Sequence, residues 1–259
     1  LTPVTETLKP EAVRPQVYRA ELEGAVVLRS RIVVPLSGSE AAQANAALAA
    51  AAMNGLRVDT GGTLSFNQTV GLRTSEAGYQ AAEEPAYGLN VSGVGGGVCQ
   101  VSTALYRLAL LGGLEIGERN AAVYPVDYCD VGQEAAVSDQ GLDLKIVNST
   151  GMPVFLTARV YADGDGQTME LQLIGLELDE SYTLASETET IAPPEEPIYV
   201  RDSEGRYAAY SDERIPVGEP MPGYRVTVRL ISETDEKIVS QDEYDAIPQI
   251  IYVGVSQRP

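Results

Sequence analysis

Residues 93–113 read GVGGGVCQVSTALYRLALLGG, a glycine-rich turn that runs directly into a helical pattern. From Val101 to Leu111 apolar side chains recur every three or four residues, which is typical of one buried helix face, and Gly112–Gly113 ends the pattern. The glycines permit tight backbone packing and can direct N–H groups at a ligand. We therefore expect a glycine-rich loop over residues 88–97, followed by a buried helix.

A second helix is predicted by SEAAQANAALAAAAMNG at residues 39–55. Ser39 is a favourable N-cap, Glu40 lies in the first turn, and Gly55 is a typical residue just after a helix end. Alanine has the highest intrinsic helix propensity, and its small side chain allows close packing. We expect this helix in the core.

Most of the remaining sequence is typical of short strands separated by turns. The strand patterns lie in residues 16–36, 58–87, 122–128, 142–149, 152–175, 224–232 and 250–256. The DGDG turn at residues 163–166 separates two alternating runs and predicts a hairpin. An acidic, proline-bearing stretch indicates a domain boundary near residues 180–197.

These patterns predict an α+β fold in three parts. We expect an N-terminal extension at residues 1–24 and a main domain at 25–190, in which two main helices pack on an antiparallel sheet. A small all-β appendage is expected at residues 191–259.

The composition excludes several classes of function. The 259 residues carry 37 acidic and 18 basic side chains, a net charge of -19, so we expect no nucleic-acid partner. With no histidine in the chain, imidazole chemistry is excluded. The two cysteines lack the spacing of a zinc site, and we expect neither a metal nor a cofactor. The first residues look trimmed, so membrane attachment is expected only through an anchor missing from this sequence.

Cys99 is the candidate nucleophile. In the first turn of a helix the macrodipole favours the thiolate and lowers the thiol pKa, and the loop N–H groups of Gly95–Gly97 can bind an oxyanion. The alternative is that Cys99 is a small buried apolar residue. Cys129 either forms a disulfide with Cys99, which would block the nucleophile, or fills an apolar strand position.

Three motifs together resemble the VanW domain of bacterial surface proteins and of some vancomycin-resistance clusters. They are LSFNQTVGLRTSEAGY at residues 64–79, GGGVCQVSTALY at 95–106 and the ERN and YPVDY stretches at 118–128. The resemblance covers about residues 25–165, and SQDEYDAIPQIIYVG at 240–254 is similar to the G5-like β tails of such proteins. VanW proteins are associated with peptidoglycan, and L,D-transpeptidase activity has been attributed to some of them. The resemblance thus implies an extracytoplasmic, cell-wall-associated protein with peptidoglycan stem peptides or another wall component as its partner.

The resemblance also implies roles for particular residues. The Cys99 thiolate would attack the carbonyl before a terminal D-residue of a donor stem peptide, and an amine of a neighbouring stem would resolve the thioester. The side chains near this motif suggest further roles: Arg119 would hold the thiolate or a substrate carboxylate, Asp127 or Glu134 would carry protons, and Tyr124 or Tyr128 would donate a hydrogen bond. The alternative for each is a solvated charge or a half-buried strand residue. Expected substrate or oxyanion contacts are Gly95, Gly96, Gly97, Gln100, Ser102, Asn67 and Tyr128. For Gln100 and Ser102 a role at the helix start, and for Asn67 a bond to the backbone of a turn, are the alternatives.

This sequence departs from the family pattern beside the candidate site. The histidine positions of the family carry Asn120 and Ala122, and its G-R-D-A stretch reads GQEA at residues 132–135. Loss of a general acid or base typically costs about a hundredfold to ten-thousandfold in rate. Two hypotheses follow: a cysteine acyltransferase, intact or degenerate, and a non-catalytic envelope module that binds the cell wall or a protein.

Overall fold

Three helices and fifteen strands form the part of the chain that the computed structural model describes, residues 26–86, 89–164 and 166–257. The helices are α1 (Glu40–Met53), α2 (Phe66–Val70) and α3 (Val98–Leu111). The strands are β1 (Val27–Pro35), β2 (Leu56–Val58), β3 (Thr63–Ser65), β4 (Ala81–Ala86), β5 (Leu89–Val94), β6 (Glu115–Glu118), β7 (Lys145–Val147), β8 (Val154–Asp163), β9 (Gly166–Gly175), β10 (Thr183–Ala192), β11 (Ile198–Asp202), β12 (Arg214–Val217), β13 (Gly223–Ile231), β14 (Glu236–Tyr244) and β15 (Ile250–Gly254).

Both long helices lie where the sequence predicts them. Ser39 caps α1, since its side chain accepts a hydrogen bond from Ala42 N at 3.3 Å. Helix α3 begins directly after Gly97 and ends at Gly112, whose N–H donates to Leu108 O at 2.9 Å. The two helix predictions are confirmed.

The main domain has two layers, with α1 and α3 packed on an antiparallel sheet of strand order β1-β9-β8-β2. Because side chains alternate along a strand, Met169, Leu171 and Leu173 of β9 are buried on the helix side. Glu170 faces the other side and pairs with Arg31 Nε of β1 at 2.7 Å. The predicted α+β class, with two main helices on an antiparallel sheet, is confirmed.

The hairpin predicted from the DGDG turn is also present. Strands β8 and β9 pair along their length, and Asp163 lies opposite Gly166 at the tip. Gly164 has a left-handed φ of 62°, which glycine adopts without strain. Asp165 lies outside the described residues.

Two local predictions before α3 are corrected by the structure. The expected loop at residues 88–97 is mostly strand, because β5 pairs with β4 and leaves only Gly95–Gly97 as a turn; Gly88 lies outside the described residues. The LSFN phrase is a strand only up to Ser65. There the side chain accepts from Gln68 N at 3.1 Å and caps the short helix α2, which the strand pattern did not predict.

The strand predicted at residues 122–128 is wrong. Residues 119–144 contain neither helix nor strand. Their backbone groups bond to side chains and to isolated carbonyls instead of to a neighbouring strand, as when Ala136 N donates to Asn120 O at 2.8 Å. This irregular stretch lies between β6 and β7, which pair with each other in a sheet of order β3-β7-β6.

The described residues after β9 are all-β, as predicted. They form an antiparallel sheet of order β10-β13-β14 and a mixed sheet of order β11-β15-β12. Because β10 pairs with β13, the first of these sheets begins at Thr183, inside the stretch of residues 180–197 in which the boundary is expected. The predicted extension at residues 1–24 lies outside the described residues, and within them no helix is long and apolar enough to cross a membrane.

Candidate functional site around Cys99

The glycine turn before α3 is pressed between α1 and Arg73. Gly97 has a left-handed φ of 97°, and a Cβ at that position would lie 2.3 Å from Ala42 O of α1. At Gly95, with a φ of 90°, a Cβ would lie 2.8 Å from the Cβ of Arg73. Glycine is therefore required at both positions by packing as well as by backbone conformation.

The side chain of Asn45, on α1, holds this turn through hydrogen bonds. Its side-chain amide donates to Gly96 O and to Gln80 O, each at 2.9 Å, and its Oδ1 accepts from Gln80 N at 2.8 Å. The Asn45 side chain is almost fully buried, so these bonds are shielded from water. The middle glycine of the turn thus uses its carbonyl to hold α1.

Cys99 is the second residue of α3 and is half-buried. Its Sγ lies 3.6 Å from Val137 O, in the geometry of a weak S–H donor to a carbonyl. The neighbouring amides of Val98 and Gln100 donate back to Gly95 O and Gly97 O, both at 3.2 Å. Those two N–H groups are engaged within the turn.

Two polar side chains on the same side of α3 as Cys99 bind the segment that contains Val137. Ser102 Oγ donates to Ala135 O at 2.6 Å, and Ala135 N donates to Thr103 Oγ1 at 3.0 Å. Both side chains are buried. Ser102 therefore joins the helix to residues 132–137, the segment that carries the Cys99 contact.

Gln100 binds the chain that precedes α1. Its Oε1 accepts from Ser37 N at 2.8 Å, and its Nε2 donates to Ser37 O at 3.2 Å. The side chain is buried, and both ends of its amide are engaged by one residue. The geometry therefore favours the role at the helix start over an oxyanion contact.

A cluster of polar side chains that the sequence did not single out, centred on the buried Arg73, lies beside the glycine turn. Arg73, which contacts Gly95, pairs through Nε with Asp139 Oδ1 at 2.8 Å and donates from Nη1 to Asn67 Oδ1 at 2.8 Å. Asp139 is two residues beyond Val137. Burial raises the pKa of Tyr79, the Arg73 charge lowers it, and the Asp139 charge adds to the increase. Arg73 stands out in sequence only as a cation within the LRTSEAGY motif.

Asn67 holds a turn, as the sequence alternative expected. Its amide donates to Leu142 O at 2.8 Å and to Ser138 O at 3.1 Å, and these residues bound the turn 138–142. Its backbone N–H donates to Asp143 Oδ1 at 2.9 Å. The Asn67 side chain also accepts a hydrogen bond from Arg73, which joins it to the polar cluster beside the glycine turn.

Arg119 and Glu134 form a buried charge network with the C-terminal sheet. Arg119 Nη1 pairs with Asp242 Oδ2 at 2.5 Å and Nη2 with Glu134 Oε1 at 3.1 Å, while Tyr244 Oη donates to the same Glu134 oxygen. The Arg119 guanidinium also lies over the Tyr106 ring, 5.5 Å from its centroid. Tyr106 is two helical turns from Cys99, about 10 Å of helix rise.

The network shifts the pKa of two members. Burial by itself would lower the pKa of Arg119, but the hydrogen bond and charge of Asp242, with the charge of Glu134, raise it overall. Burial, followed by the hydrogen bond and charge of Glu134, raises the pKa of Tyr244. Arg119 is therefore a fixed cation, and Tyr244 a fixed hydrogen-bond donor.

The other predicted residues lie apart from this network or at its edge. Asp127 is exposed, and Tyr128 is half-buried at a small crevice that Gln100 and Arg107 also line. Asn120, at a histidine position of the family pattern, donates to Asp143 O at 3.0 Å. Ala122 N lies 3.4 Å from Glu134 Oε1.

Cys99 and Cys129 are separate thiols with no disulfide between them. Burial, and then the charge of Glu134, raise the pKa of Cys129 to about 12. Within the described residues, no group of three or more Cys, Asp or Glu side chains is arranged to hold a metal ion. A cleft of about 490 Å³ lies near Leu111, at the opposite end of α3 from Cys99.

Comparisons with known proteins identify the domain that carries this site. A family model described as "VanW like protein" matches residues 41–172. The chain is 36% identical over 125 residues to "Uncharacterized protein YoaR" of Bacillus subtilis, a match that covers 48% of this chain and 41% of that protein. It is 33% identical over 111 residues to "Vancomycin B-type resistance protein VanW" of Enterococcus faecalis, covering 41% and 40% respectively.

The chain spans about two fifths of the length of each of these relatives. A solved structure titled "Crystal structure of HP0197-G5" aligns with 29% of this chain and 99% of its own, at 15% identity and a TM-score of 0.15, a likeness that carries no fold assignment. The family match spans half of the chain and includes Cys99 and α3. The chain therefore belongs to the VanW family.

Proposed function

We propose that this protein works at the bacterial cell wall, where Cys99 accepts an acyl group from a peptidoglycan stem peptide in an L,D-transpeptidase-type reaction. The observation that carries the proposal is the position of Cys99, a half-buried residue that is the second residue of α3. There the positive end of the helix dipole stabilises a thiolate relative to a thiol. Extracytoplasmic location and the G5-like character of the C-terminal part belong to the same proposal.

The reaction has two balanced halves. The thiolate forms a bond to the stem-peptide carbonyl carbon, the carbon–nitrogen bond breaks, and the departing amine takes a proton from water, so that a thioester remains. A second amine then attacks the thioester carbon and gives a proton to water, and the carbon–sulfur bond breaks to restore the thiolate. Arg119 and Glu134 bond to Asp242 and Tyr244, so we assign the acyl transfer to Cys99 and give these two side chains an indirect part.

Covalent labelling tests this function. The protein is incubated with a tetrapeptide stem or a β-lactam acyl donor, and intact mass is measured with peptide mapping. We expect one acyl adduct on Cys99, unchanged in Cys129→Ser and absent in Cys99→Ala. Absence of any adduct, together with an ordinary thiol titration of Cys99, would overturn the proposal.

A second candidate function is a non-catalytic module that binds the cell wall. Two observations favour it: the chain has no histidine, and the family's histidine positions carry Asn120 and Ala122. The experiment is sedimentation with purified peptidoglycan. The module predicts that wild type and Cys99→Ala sediment equally, and a folded Cys99→Ala variant that stays in solution would contradict it.

A further inference from the structure

We infer that Asp242 and Tyr244, on a strand of the C-terminal sheet, are positioning residues for the Cys99 site. They hold residues 132–137 against α3 through Arg119 and Glu134. The C-terminal sheet then completes the wall beside the thiol and is more than a separate binding appendage. The inference rests on the proposed function only where it says that these residues serve catalysis. The contacts around the thiol stand without that function.

Residues 132–137 need support from outside their own backbone, because they belong to a long stretch without helix or strand. Such stretches within a folded domain depend on side-chain bonds or packing for their order. Arg119 supplies part of this support by donating to Gly132 O at 2.9 Å and to Glu134 O at 2.7 Å. The Glu134 carboxylate accepts from Gly132 N at 2.9 Å.

The C-terminal sheet holds Arg119 and Glu134 in turn. Asp242 Oδ2 accepts a hydrogen bond from Arg119 Nη1, and Tyr244 Oη donates a hydrogen bond to Glu134 Oε1. All four side chains are mostly or fully buried, so removal of one partner leaves a buried charge or acceptor unmet. The guanidinium and the carboxylate therefore depend on strand β14 for their placement.

Packing reinforces the bonds at the same point. A Cβ on Gly132 would lie 2.7 Å from Val226 Cγ1 and 2.8 Å from Val228 Cγ2, so the backbone of this residue rests directly on β13. Next to it, Gln133 Nε2 donates to Ser186 Oγ of β10 at 3.0 Å. All three strands of the sheet thus contact the segment or its charge partners.

The contacts continue along the segment to the thiol. Ala135, directly after Glu134, bonds to Ser102 and Thr103 of α3, and two residues later Val137 O accepts from Cys99 Sγ. A shift of Glu134 is therefore carried over one residue to the α3 contacts and over three residues to the Cys99 contact.

The test uses the full chain in a Cys129→Ser background, so that only Cys99 reacts. The rate of alkylation by iodoacetamide is measured as a function of pH for Asp242→Asn and Tyr244→Phe, beside thermal unfolding. We expect both variants to fold and to label about tenfold faster with a shifted pH profile, the effect of losing one charged hydrogen bond from a locally opening segment. Glu243→Gln is the matched control, because Glu243 lies between Asp242 and Tyr244 on β14 and pairs with the exposed Arg225 of β13, and its labelling should equal that of the parent.

Equal labelling rates and pH profiles in all three variants and the parent would overturn the inference. Failure of both test variants to fold would also overturn it, because the network would then serve the whole fold and not the segment. The readout is alkylation and not acyl transfer. The alkylation result therefore tests the positioning role even if the protein transfers no acyl group.

Discussion

One face of α3 contacts residues 132–137, and the interactions at its Cys99 end differ from those at its Tyr106 end. Near Cys99 the contact joins the sulfur of a half-buried cysteine to the Val137 carbonyl oxygen 3.6 Å away. Two turns further on, buried charges make the contact, with Arg119 over Tyr106 and bonded to Glu134. The residues proposed for one catalytic site therefore divide between a Cys99 end and a structural end built from buried charges.

The difference has a physical origin. A catalytic thiol must be reachable and able to change its protonation state, so it cannot be enclosed by fixed partners. A buried ion pair is stable only when every charge and polar group is satisfied. Nearness in sequence to a nucleophile motif therefore does not show that a charged residue takes part in the chemistry.

Removing a charge from the structural end should have the largest effect. Arg119→Met leaves Glu134 and Asp242 without their cation, and we expect a loss of about 4 kcal/mol in the free energy of unfolding, measured by urea titration. Arg225→Met removes exposed ion pairs with Glu189 and Glu243 and should cost far less, because water screens exposed charges. Equal losses in both variants would mean that the network is no more than a surface charge cluster.

The Cys99 end should respond next, through backbone packing. Gly97→Ala places a Cβ against Ala42 O and requires a left-handed φ, so we expect a loss of about 3 kcal/mol in the free energy of unfolding. Gly61→Ala is the control, because Gly61 also has a positive φ but no atom within 4 Å, and should cost about 1 kcal/mol. If the two glycines cost the same, close packing of the turn on α1 is not what requires Gly97.

A smaller effect is expected from Gln100→Ala. This change removes the three hydrogen bonds between Gln100 and Ser37 and should lower the free energy of unfolding by about 2 kcal/mol. Gln43→Ala, at a half-buried glutamine on α1 whose solvent-exposed hydrogen bond goes to Gly38 O, should change it by less than about 0.5 kcal/mol. If the Gln100 variant is as stable as the parent, the bonds to Ser37 do not explain this residue, and a substrate contact becomes the better interpretation.

The two thiols should differ in their alkaline behaviour. The pKa of Cys129 is 9.0 unfolded and about 12 folded, so its ionisation opposes folding, and its stabilising effect, complete below pH 9, is lost as pH rises toward 12. In Cys99→Ala, alkylation of Cys129 should accelerate only as pH approaches 12, and after unfolding in urea only near pH 9. Rapid labelling of native Cys129 at pH 9 would contradict its burial.

Much of the fold was predictable from local sequence, and the failures share one cause. The helices α1 and α3 depend on periodicity, caps and terminal glycines within a few residues, and the DGDG hairpin depends on its turn. The apolar alternation of residues 122–128 predicted a strand, but a strand requires a pairing partner, and this segment found side-chain bonds instead. Sequence pattern does not reveal whether that partner exists.

The candidate site was only partly predictable. Cys99 stood out because its glycine turn and helix start are contiguous in sequence. The partner of Arg119, Asp242, is 123 residues away along the chain, and the Arg73–Asp139 pair spans 66 residues. No local pattern relates these positions.

The sequence by itself determined the α+β class, both long helices, the place of the Cys99 thiol at a helix start and the family to which the chain belongs. These features depend on residues close together along the chain, where backbone sterics and hydrogen-bond periodicity act. Only the tertiary structure decided that Arg119 and Glu134 face Asp242 and Tyr244, because the free energy of a buried charge depends on which distant groups replace its water.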